Sequence, residues 1–310
     1  MKRLLEVLQA SAEYLAGKGV ADPRLQAEQL MSHVLHCSRM QLYVRFETIL
    51  EEPQLVPLRD GIRRLAAGEP LQYVLGDVEF MGHRFKVDRR ALIPRPDTET
   101  LVTTVLDCQP LWMTGSAVIA DVGTGTGCVA ISLAKERPTN RFVAVDAHSQ
   151  ALELARENAD MNGVSDRIGF RQGDLLSGFG QGELDAVVSN PPYISTTACG
   201  ELPHHIRNHE PLSALDGGAD GLAIIRRLIS GAREVLKSGG WLFVEIGFDQ
   251  GSAVVGLLRD NGFEEIVVRP DLGGRDRVVV GRVPRGRAAT GEGNNELSGF
   301  GEAAIQRPCV

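Results

Sequence analysis

Residues 190–193, Asn-Pro-Pro-Tyr, follow a short apolar run and combine an amide, two prolines and an aromatic ring. A planar amino or amide nitrogen attacks a methyl group only when its N–H bonds are occupied and its face meets the methyl carbon. Asn190 offers one acceptor through its side-chain oxygen, and the carbonyl of Pro191 offers a second. Pro191 and Pro192 fix φ and keep that carbonyl aimed, while Tyr193 provides a flat wall for stacking. Because two oxygens would stabilise positive charge on the nitrogen, the motif predicts a methyl-acceptor site.

A glycine-rich turn provides the second chemical signal, in the segment DVGTGTGCVAISLA at 121–134. The residues of the turn are Gly123, Thr124, Gly125, Thr126 and Gly127. Glycines between a strand and a helix let the backbone approach a ligand closely, and Asp146 ends the next predicted strand about 20 residues on. A carboxylate there accepts hydrogen bonds from ribose hydroxyls. The turn therefore predicts a nucleoside-type cofactor, either a nicotinamide dinucleotide or S-adenosylmethionine.

Asn-Pro-Pro-Tyr decides between these cofactors. It lies at the carboxyl end of the fourth predicted strand, beside the first strand and its glycine turn, where open α/β sheets bind ligands. Taken alone, each motif has a structural alternative, namely a capped Pro-Pro turn or a strand–helix turn without a ligand. A nicotinamide-dependent dehydrogenase also requires a proton-handling His, Tyr or Lys in the crevice, and none is evident. Together the motifs favour S-adenosylmethionine.

These residues need an α/β scaffold, and the order of the predicted elements supplies one. From about 89 to 284, short apolar runs alternate with helical patterns, which predicts a doubly wound, mostly parallel sheet with one antiparallel strand from a closing hairpin. Residues 1–88 predict a small helical domain that ends in a β-hairpin, with Asp22 and Pro23 as N-cap and first turn of its second helix. Residues 285–310, with scattered glycine and little apolar content, are expected to be a disordered tail.

With these motifs in place, the chain resembles the class I methyltransferases that act on planar nitrogens. Three further stretches are similar to the release-factor glutamine methyltransferases, the PrmC/HemK family: PLQYVLGDVEFMG at 70–82, LIPRPDTETLV at 92–102 and HEPLSALDGGADGL at 209–222. The resemblance runs from about residue 1 to 284. It implies a Rossmann-like, seven-stranded methyltransferase domain, with the helical domain binding the substrate.

The resemblance also implies which residues hold the cofactor. Gly123 to Gly127, with Asp146, would bind S-adenosylmethionine, and Asn190 would lie against it. Asp174 and Leu175, in RQGDLLS, match the positions beside the adenine. Family members often carry an aromatic residue at the second of these positions, so Leu175 departs from the family pattern.

The implied reaction is a direct in-line transfer of the methyl group to the side-chain nitrogen of a protein glutamine, without a metal or a strong base. Residues 190–193 would hold the glutamine amide, and Arg95 in the Pro-Arg-Pro segment would contact the substrate. For Arg95 the alternative is a residue that only precedes the helix starting near Asp97. The implied substrate is the Gly-Gly-Gln loop of bacterial peptide-chain release factors. A ribosomal-protein glutamine methyltransferase and a nucleic-acid amino-methyltransferase remain alternatives.

Composition argues against several other classes. Lys and Arg number 33 against 40 Asp and Glu, a net charge of −7, so direct nucleic-acid binding is not expected. Five widely spaced cysteines without a C-x-x-C pair predict free thiols in a reducing compartment. With no signal-type or membrane-spanning run, the sequence indicates a cytoplasmic protein without membrane contact, and we expect a monomer. His205 and His209 lack a third ligand, so no metal is predicted.

Overall fold

The computed structural model describes residues 2–113 and 115–285, so the predicted tail lies outside the described residues apart from Arg285. The chain begins with a helical part. Its helices are α1 (Leu4–Gly17), α2 (Pro23–Val34), α3 (Arg39–Val44), α4 (Glu52–Ala66) and α5 (Leu71–Leu75). Two short strands beside them, β1 (Lys2–Arg3) and β2 (Ile49–Leu50), pair antiparallel.

Apolar residues at helical spacing build the core of this part. Leu4, Leu8 and Leu15 form the buried face of α1, as their spacing predicts. Helices α2 and α4 approach closely, because a β-carbon at Gly61 would lie 2.7 Å from the Leu30 side chain. The helical part therefore has an apolar core of its own.

The start of α2 has the predicted N-cap position without a side-chain cap. Pro23 occupies the first turn, as predicted, and Asp22 precedes it. However, Asp22 adopts a left-handed conformation with φ of +46° and its side chain makes no capping hydrogen bond. The predicted N-cap position and first turn are confirmed, but the side chain does not cap, because this backbone conformation differs from the extended one in which a cap side chain reaches the helix amides.

A β-hairpin connects the helical part to the sheet. Strands β3 (Asp77–Phe80) and β4 (His83–Lys86) pair antiparallel around Met81 and Gly82, as the sequence predicts. The buried rings of Phe80 and Phe85 lie in the same apolar cluster as residues of the large sheet. The hairpin is thus anchored on the sheet.

Seven strands form the large sheet in the order β10-β11-β9-β8-β5-β6-β7. They are β5 (Val118–Val122), β6 (Arg141–Asp146), β7 (Ile168–Gln172), β8 (Leu184–Ser189), β9 (Leu236–Glu245), β10 (Glu264–Pro270) and β11 (Asp276–Arg282). Strands β5 to β9 run parallel, and β11 pairs antiparallel with both β9 and β10. The doubly wound, mostly parallel seven-stranded sheet with one antiparallel strand is confirmed.

Helices follow or separate the strands of this sheet, and the longer ones cover its two faces. They are α6 (Glu99–Asp107), α7 (Gln109–Trp112), α8 (Cys128–Glu136), α9 (Ser149–Met161), α10 (Thr196–Cys199), α11 (His204–Arg207), α12 (Ala223–Val235) and α13 (Gly251–Asp260). Successive residues of β5 alternate between the faces, so Ile119 lies in one apolar cluster and Ala120 in the other. Within the described residues, no helix is long and apolar enough to cross a membrane.

Helix α12 is shorter than its sequence pattern indicates. The pattern predicts a helix from about 219 to 237, whereas the structure begins it at Ala223 and ends it at Val235. Gly218 and Gly221 have φ of +89° and +74°, which a right-handed helix does not allow. The residues before Ala223 instead form a loop against the segment that follows β8.

The parallel strands all end at one edge of the sheet. Strand β5 ends at Val122, β6 at Asp146, β8 at Ser189 and β9 at Glu245. The Ser189 hydroxyl donates to the Val122 carbonyl at 2.7 Å, which holds the ends of β8 and β5 together. This edge carries the glycine turn and Asn-Pro-Pro-Tyr.

Candidate functional site

A cavity of about 360 Å³ opens at the carboxyl edge of the sheet. Its lining includes most of the predicted site residues: Gly123, Thr124, Gly125, Thr126, Asp146, Asp174, Leu175, Asn190, Pro192 and Arg95. Gly127, Pro191 and Tyr193 lie outside the lining. A larger cleft, of about 760 Å³, lies between α6 and the β10–β11 hairpin, but it contains none of these residues.

The glycine turn forms the floor of this cavity. Gly123, Gly125 and Gly127 have φ of +72°, +55° and +81°, which side-chain-bearing residues rarely adopt. A β-carbon at Gly127 would lie 2.9 Å from the Ile131 side chain and 3.1 Å from Ala155, so this glycine lets α8 and α9 pack closely. The open backbone at the first two glycines faces the cavity.

A buried carboxylate holds the turn in shape. Asp121 accepts hydrogen bonds from the Thr124 hydroxyl at 2.6 Å and from the Ala130 amide at 3.1 Å. Burial raises the pKa of Asp121 to about 6. Asp121 therefore holds the turn in shape through these two hydrogen bonds, and it also lines the cavity.

Asp146 stands fixed at the end of β6. One carboxylate oxygen accepts from the Gly125 amide at 3.0 Å, and the other accepts from the His148 amide at 3.0 Å. Because a carboxylate has about four acceptor positions, two bonds leave capacity for further donors. Asp146 can therefore accept hydrogen bonds from the two hydroxyls of a ribose, as the sequence predicts.

The two residues predicted beside the adenine both line the cavity, in different ways. The Asp174 carboxylate pairs with Arg227 of α12 at 2.5 Å. Leu175 has φ of +53°, an uncommon conformation for a leucine. Its side chain packs against the apolar cluster that includes β5 and α12. A contact of either residue with an adenine stays a prediction.

The amide of Asn190 is held in one orientation by a residue that the sequence reasoning did not single out. Its nitrogen Nδ2 donates to the Thr98 hydroxyl at 3.0 Å, and Thr98 is buried. Within residues 2–113 and 115–285, neither the Asn190 side-chain oxygen nor the Pro191 carbonyl has a hydrogen-bond partner. The Asn190 oxygen is therefore available as an acceptor at this end of the cavity, and the role of the Pro191 carbonyl, which lies outside the lining, stays a prediction. Thr98 belongs to the same Pro-Arg-Pro-Asp-Thr-Glu stretch as Arg95, which was its only sequence signal.

Tyr193 occupies a different place from its neighbours. Its ring packs against the apolar cluster of β8 and α12, and its hydroxyl lies 3.5 Å from Glu245 Oε1. Burial raises the pKa of Tyr193 to about 12. Its carbonyl accepts from Gln250 Nε2 at 2.9 Å. The predicted stacking of Tyr193 on a substrate stays a prediction.

The loop before α12 packs closely against the backbone of Asn-Pro-Pro-Tyr. A β-carbon at Gly217 would lie 2.7 Å from the Pro192 carbonyl oxygen, and one at Gly221 would collide with the Tyr193 carbonyl oxygen. Only glycine permits this close approach. The segment DGGADG at 216–221 therefore restrains the backbone of Asn-Pro-Pro-Tyr by packing against it.

Arg95 forms an ion pair across the cavity rim. Its Nη2 donates to Glu210 Oε1 at 2.6 Å, and Glu210 Oε2 accepts from the Ile93 amide at 3.3 Å. Glu210 is only 5% exposed, and it lies in the HEPLSALDGGADGL stretch. The pair joins two segments that both border the cavity. A substrate contact of Arg95 stays a prediction.

Glu245 is a further group at this edge, and none of the sequence motifs predicts it. It is 1% exposed, and its Oε2 has no hydrogen-bond partner among the described residues. Burial raises the pKa of Glu245 to about 7, and Thr98 and Arg277 oppose that rise. Its signal in the sequence is the single carboxylate in the apolar run WLFVEIG, since glutamate is almost never fully buried unless paired.

Comparison with known proteins shows independently which family this chain belongs to. Residues 6–76 match the family described as the PrmC N-terminal domain, and residues 98–204 match the Methyltransferase small domain family. The chain is similar to proteins named Release factor glutamine methyltransferase. One from Geobacter sulfurreducens is 41% identical over 278 residues, which covers 90% of this chain and 96% of that protein. One from Moorella thermoacetica is 44% identical and covers 89% and 97%, and one from Vibrio cholerae is 42% identical and covers 91% and 97%.

Proposed function

This chain belongs to the family of release factor glutamine methyltransferases, and from that premise we propose that its substrate is the Gly-Gly-Gln glutamine of bacterial peptide-chain release factors. Family membership makes it a protein-glutamine N-methyltransferase that uses S-adenosylmethionine. The release factor as the particular substrate, and the role of each residue below, are our proposals.

The observation that carries the proposal is the orientation of the Asn190 amide. Because Nδ2 donates to Thr98 at 3.0 Å, the side-chain oxygen remains available as an acceptor, and we assign the second acceptor to the carbonyl of Pro191, the next residue in the chain. A glutamine side-chain amide has two N–H donors, one for each oxygen. A hydroxyl, a thiol or a carboxylate cannot satisfy both, so this pair of acceptors favours an amide or amino substrate.

The cavity residues fit S-adenosylmethionine. The glycine turn leaves no β-carbons at Gly123 and Gly125 to block a nucleoside, and Asp146 has acceptor capacity for ribose hydroxyls. Leu175 offers an apolar surface for the adenine. When bound, S-adenosylmethionine supplies an electrophilic methyl group on a sulfonium.

The acceptor residues then do two things. Asn190 and Pro191 bind both N–H bonds of the glutamine amide and hold its nitrogen in place, and positioning of this kind is worth roughly 7–11 kcal/mol. The same two oxygens stabilise the positive charge that the nitrogen gains. No strong base is required, because the N–H becomes acidic once the nitrogen is alkylated.

We assign recognition of the rest of the release factor to the helical domain, residues 1–88. It precedes the Pro-Arg-Pro segment, and the hairpin anchors it on the sheet through Phe80 and Phe85.

A transfer assay tests the proposal. Purified protein is incubated with methyl-labelled S-adenosylmethionine and a purified release factor, either natural or with its Gly-Gly-Gln glutamine changed to alanine. We expect label on the natural factor only, and mass spectrometry should locate a single methyl group on that glutamine. Label on the alanine variant, or on a ribosomal protein of a lysate while the release factor stays unlabelled, would contradict the proposal.

A further inference from the structure

Thr98 lies between two carboxylates that are each paired with a distant segment. Asp97 forms an ion pair with Arg277 of β11, in which Oδ2 and Nη2 are 3.1 Å apart. Glu99 Oε1 accepts from the Met81 amide, in the turn of the β-hairpin, at 2.8 Å. Because Asp97 and Thr98 belong to the same helical turn, the partner of Asp97 helps to set the place of the Thr98 hydroxyl.

Arg277 is a nearly buried arginine, 7% exposed, at the start of β11. Its Nη1 donates to the Ile246 carbonyl, just beyond the end of β9, at 3.3 Å. Its Nε and Nη2 both donate to Asp271 Oδ2, in the turn between β10 and β11, at 3.3 and 3.1 Å. A buried charge is costly unless it is paired, and these contacts pair the guanidinium without Asp97. Ile246 and Asp271 therefore fix the guanidinium in the orientation that brings Nη2 to Asp97.

The contact with Asp97 is better suited to positioning than to stability. The Asp97 side chain is 55% exposed, and an ion pair with such an exposed partner contributes little to folding. The contact nevertheless joins the turn that carries Thr98 to a guanidinium that is already fixed on the sheet. Losing it therefore frees this turn while the sheet keeps its structure.

We propose that Arg277 is a positioning residue for methyl transfer, which acts through Asp97 on the Thr98 hydroxyl. Asn190 Nδ2 donates to that hydroxyl at 3.0 Å, which leaves Oδ1 for the substrate. When Thr98 is displaced, the Asn190 amide loses this restraint, and Oδ1 is no longer held toward the glutamine nitrogen. This inference rests on the proposed function of Asn190.

Variants of both ion-pair partners test this role. Arg277→Met keeps an apolar side chain without donors, and Asp97→Ala removes the carboxylate but leaves Arg277 its other partners. Each should lower kcat about tenfold, the upper range for one hydrogen bond, with an unchanged KM for S-adenosylmethionine. Asp97→Ala should also keep the wild-type melting temperature, so it decides the question even if Arg277→Met does not fold. Because both residues act through one contact, the double variant should be no slower than the slower single variant.

A matched control lies at the other end of the same strand. Arg282 is 8% exposed, pairs with Glu265 at 2.7 Å and donates to the Gly239 carbonyl at 3.1 Å. It lies opposite Trp241, before the carboxyl end of β9. Arg282→Met thus removes an equally buried guanidinium from β11, but it should leave kcat at the wild-type value. Equal losses in Arg282→Met and Arg277→Met would reduce Arg277 to a structural role and overturn the proposal.

A second measurement does not depend on methyl transfer. The side-chain amide of Asn190, assigned by its disappearance in Asn190→Ala, is followed by ¹⁵N nuclear magnetic resonance in the cofactor-free protein. We expect its hydrogen-bonded N–H signal to shift in both Arg277→Met and Asp97→Ala, and to stay in place in Arg282→Met. An unmoved signal or wild-type kcat in Asp97→Ala, or multiplicative losses of kcat in the double variant, would overturn the inference. Wild-type protein that fails to methylate the release factor while the signal shifts would instead contradict the proposed function alone.

Discussion

Replacing Asn190 by alanine removes the oxygen proposed to hold one N–H of the glutamine amide. Only the Pro191 carbonyl then remains to stabilise charge on the nitrogen. By analogy with the loss of one donor from an oxyanion hole, turnover should fall about 10²–10³-fold, which corresponds to roughly 2.7–4 kcal/mol of transition-state stabilisation.

The structure limits what else this substitution disturbs. Asn190 donates one hydrogen bond, to Thr98 at 3.0 Å, and its loss costs the folded state about 1 kcal/mol. The glycine turn and Asp146 are held by bonds among themselves, so cofactor affinity should change little. The loss of turnover should therefore greatly exceed the losses of stability and of cofactor binding.

Three measurements separate these effects: initial rates on a purified release factor, calorimetric titration of the cofactor, and thermal unfolding. Asn261→Ala provides a matched control, since Asn261 also donates a side-chain amide bond, to the Leu257 carbonyl at 2.8 Å at the end of α13. It should keep full turnover. Near-normal turnover of Asn190→Ala, or a loss of cofactor binding as large as its loss of turnover, would refute the two-acceptor reasoning.

Three further outcomes are expected. A release factor whose target glutamine is changed to glutamate has no N–H donors for the two acceptors, so its methylation rate should fall about 10⁴–10⁵-fold. Asparagine keeps both donors but retracts the nitrogen by about 1.5 Å, so its rate should fall about 10²-fold. Measurable methylation of the glutamate variant would contradict binding of the amide by two acceptors. Gly221→Ala should lower both the melting temperature and turnover, because its β-carbon would collide with the Tyr193 carbonyl. Gly274 has φ of +77° and nothing within 4 Å of an added β-carbon, so Gly274→Ala should lose only the stability that an alanine with positive φ costs. Equal effects of the two substitutions would exclude the collision. The pKa of Glu245 is raised to about 7 from 4.5, so the folded state holds its proton more tightly and loses stability as pH rises through that window. Denaturant titrations between about pH 4 and about pH 8 should therefore show wild type losing about 3 kcal/mol relative to Glu245→Gln, and a constant difference would contradict the raised pKa.

The sequence predicts those parts of the site that depend on local order. The glycine turn and Asn190 each follow a strand directly and Asp146 ends one, and the carboxyl ends of parallel strands must meet at one edge. Their convergence on one cavity follows from that topology without knowledge of any side-chain contact.

Other parts depend on contacts between distant segments, which no local pattern encodes. Thr98 meets Asn190 from 92 residues away, and Arg95 meets Glu210 from 115 residues away. Glu245 has the alternation of a buried strand residue, and its proximity to Tyr193 depends on the folded sheet. The late start of α12 likewise depends on the approach of its preceding loop to the backbone of Tyr193.

The ion pair between Arg95 and Glu210 has a consequence for the mobility of the cavity wall. It joins two segments that both border the cavity, and its carboxylate is almost fully buried. Any motion that parts these segments must break a charge-assisted bond and rehydrate both partners. The ion pair therefore restrains this side of the cavity more strongly than a contact between two neutral loops would.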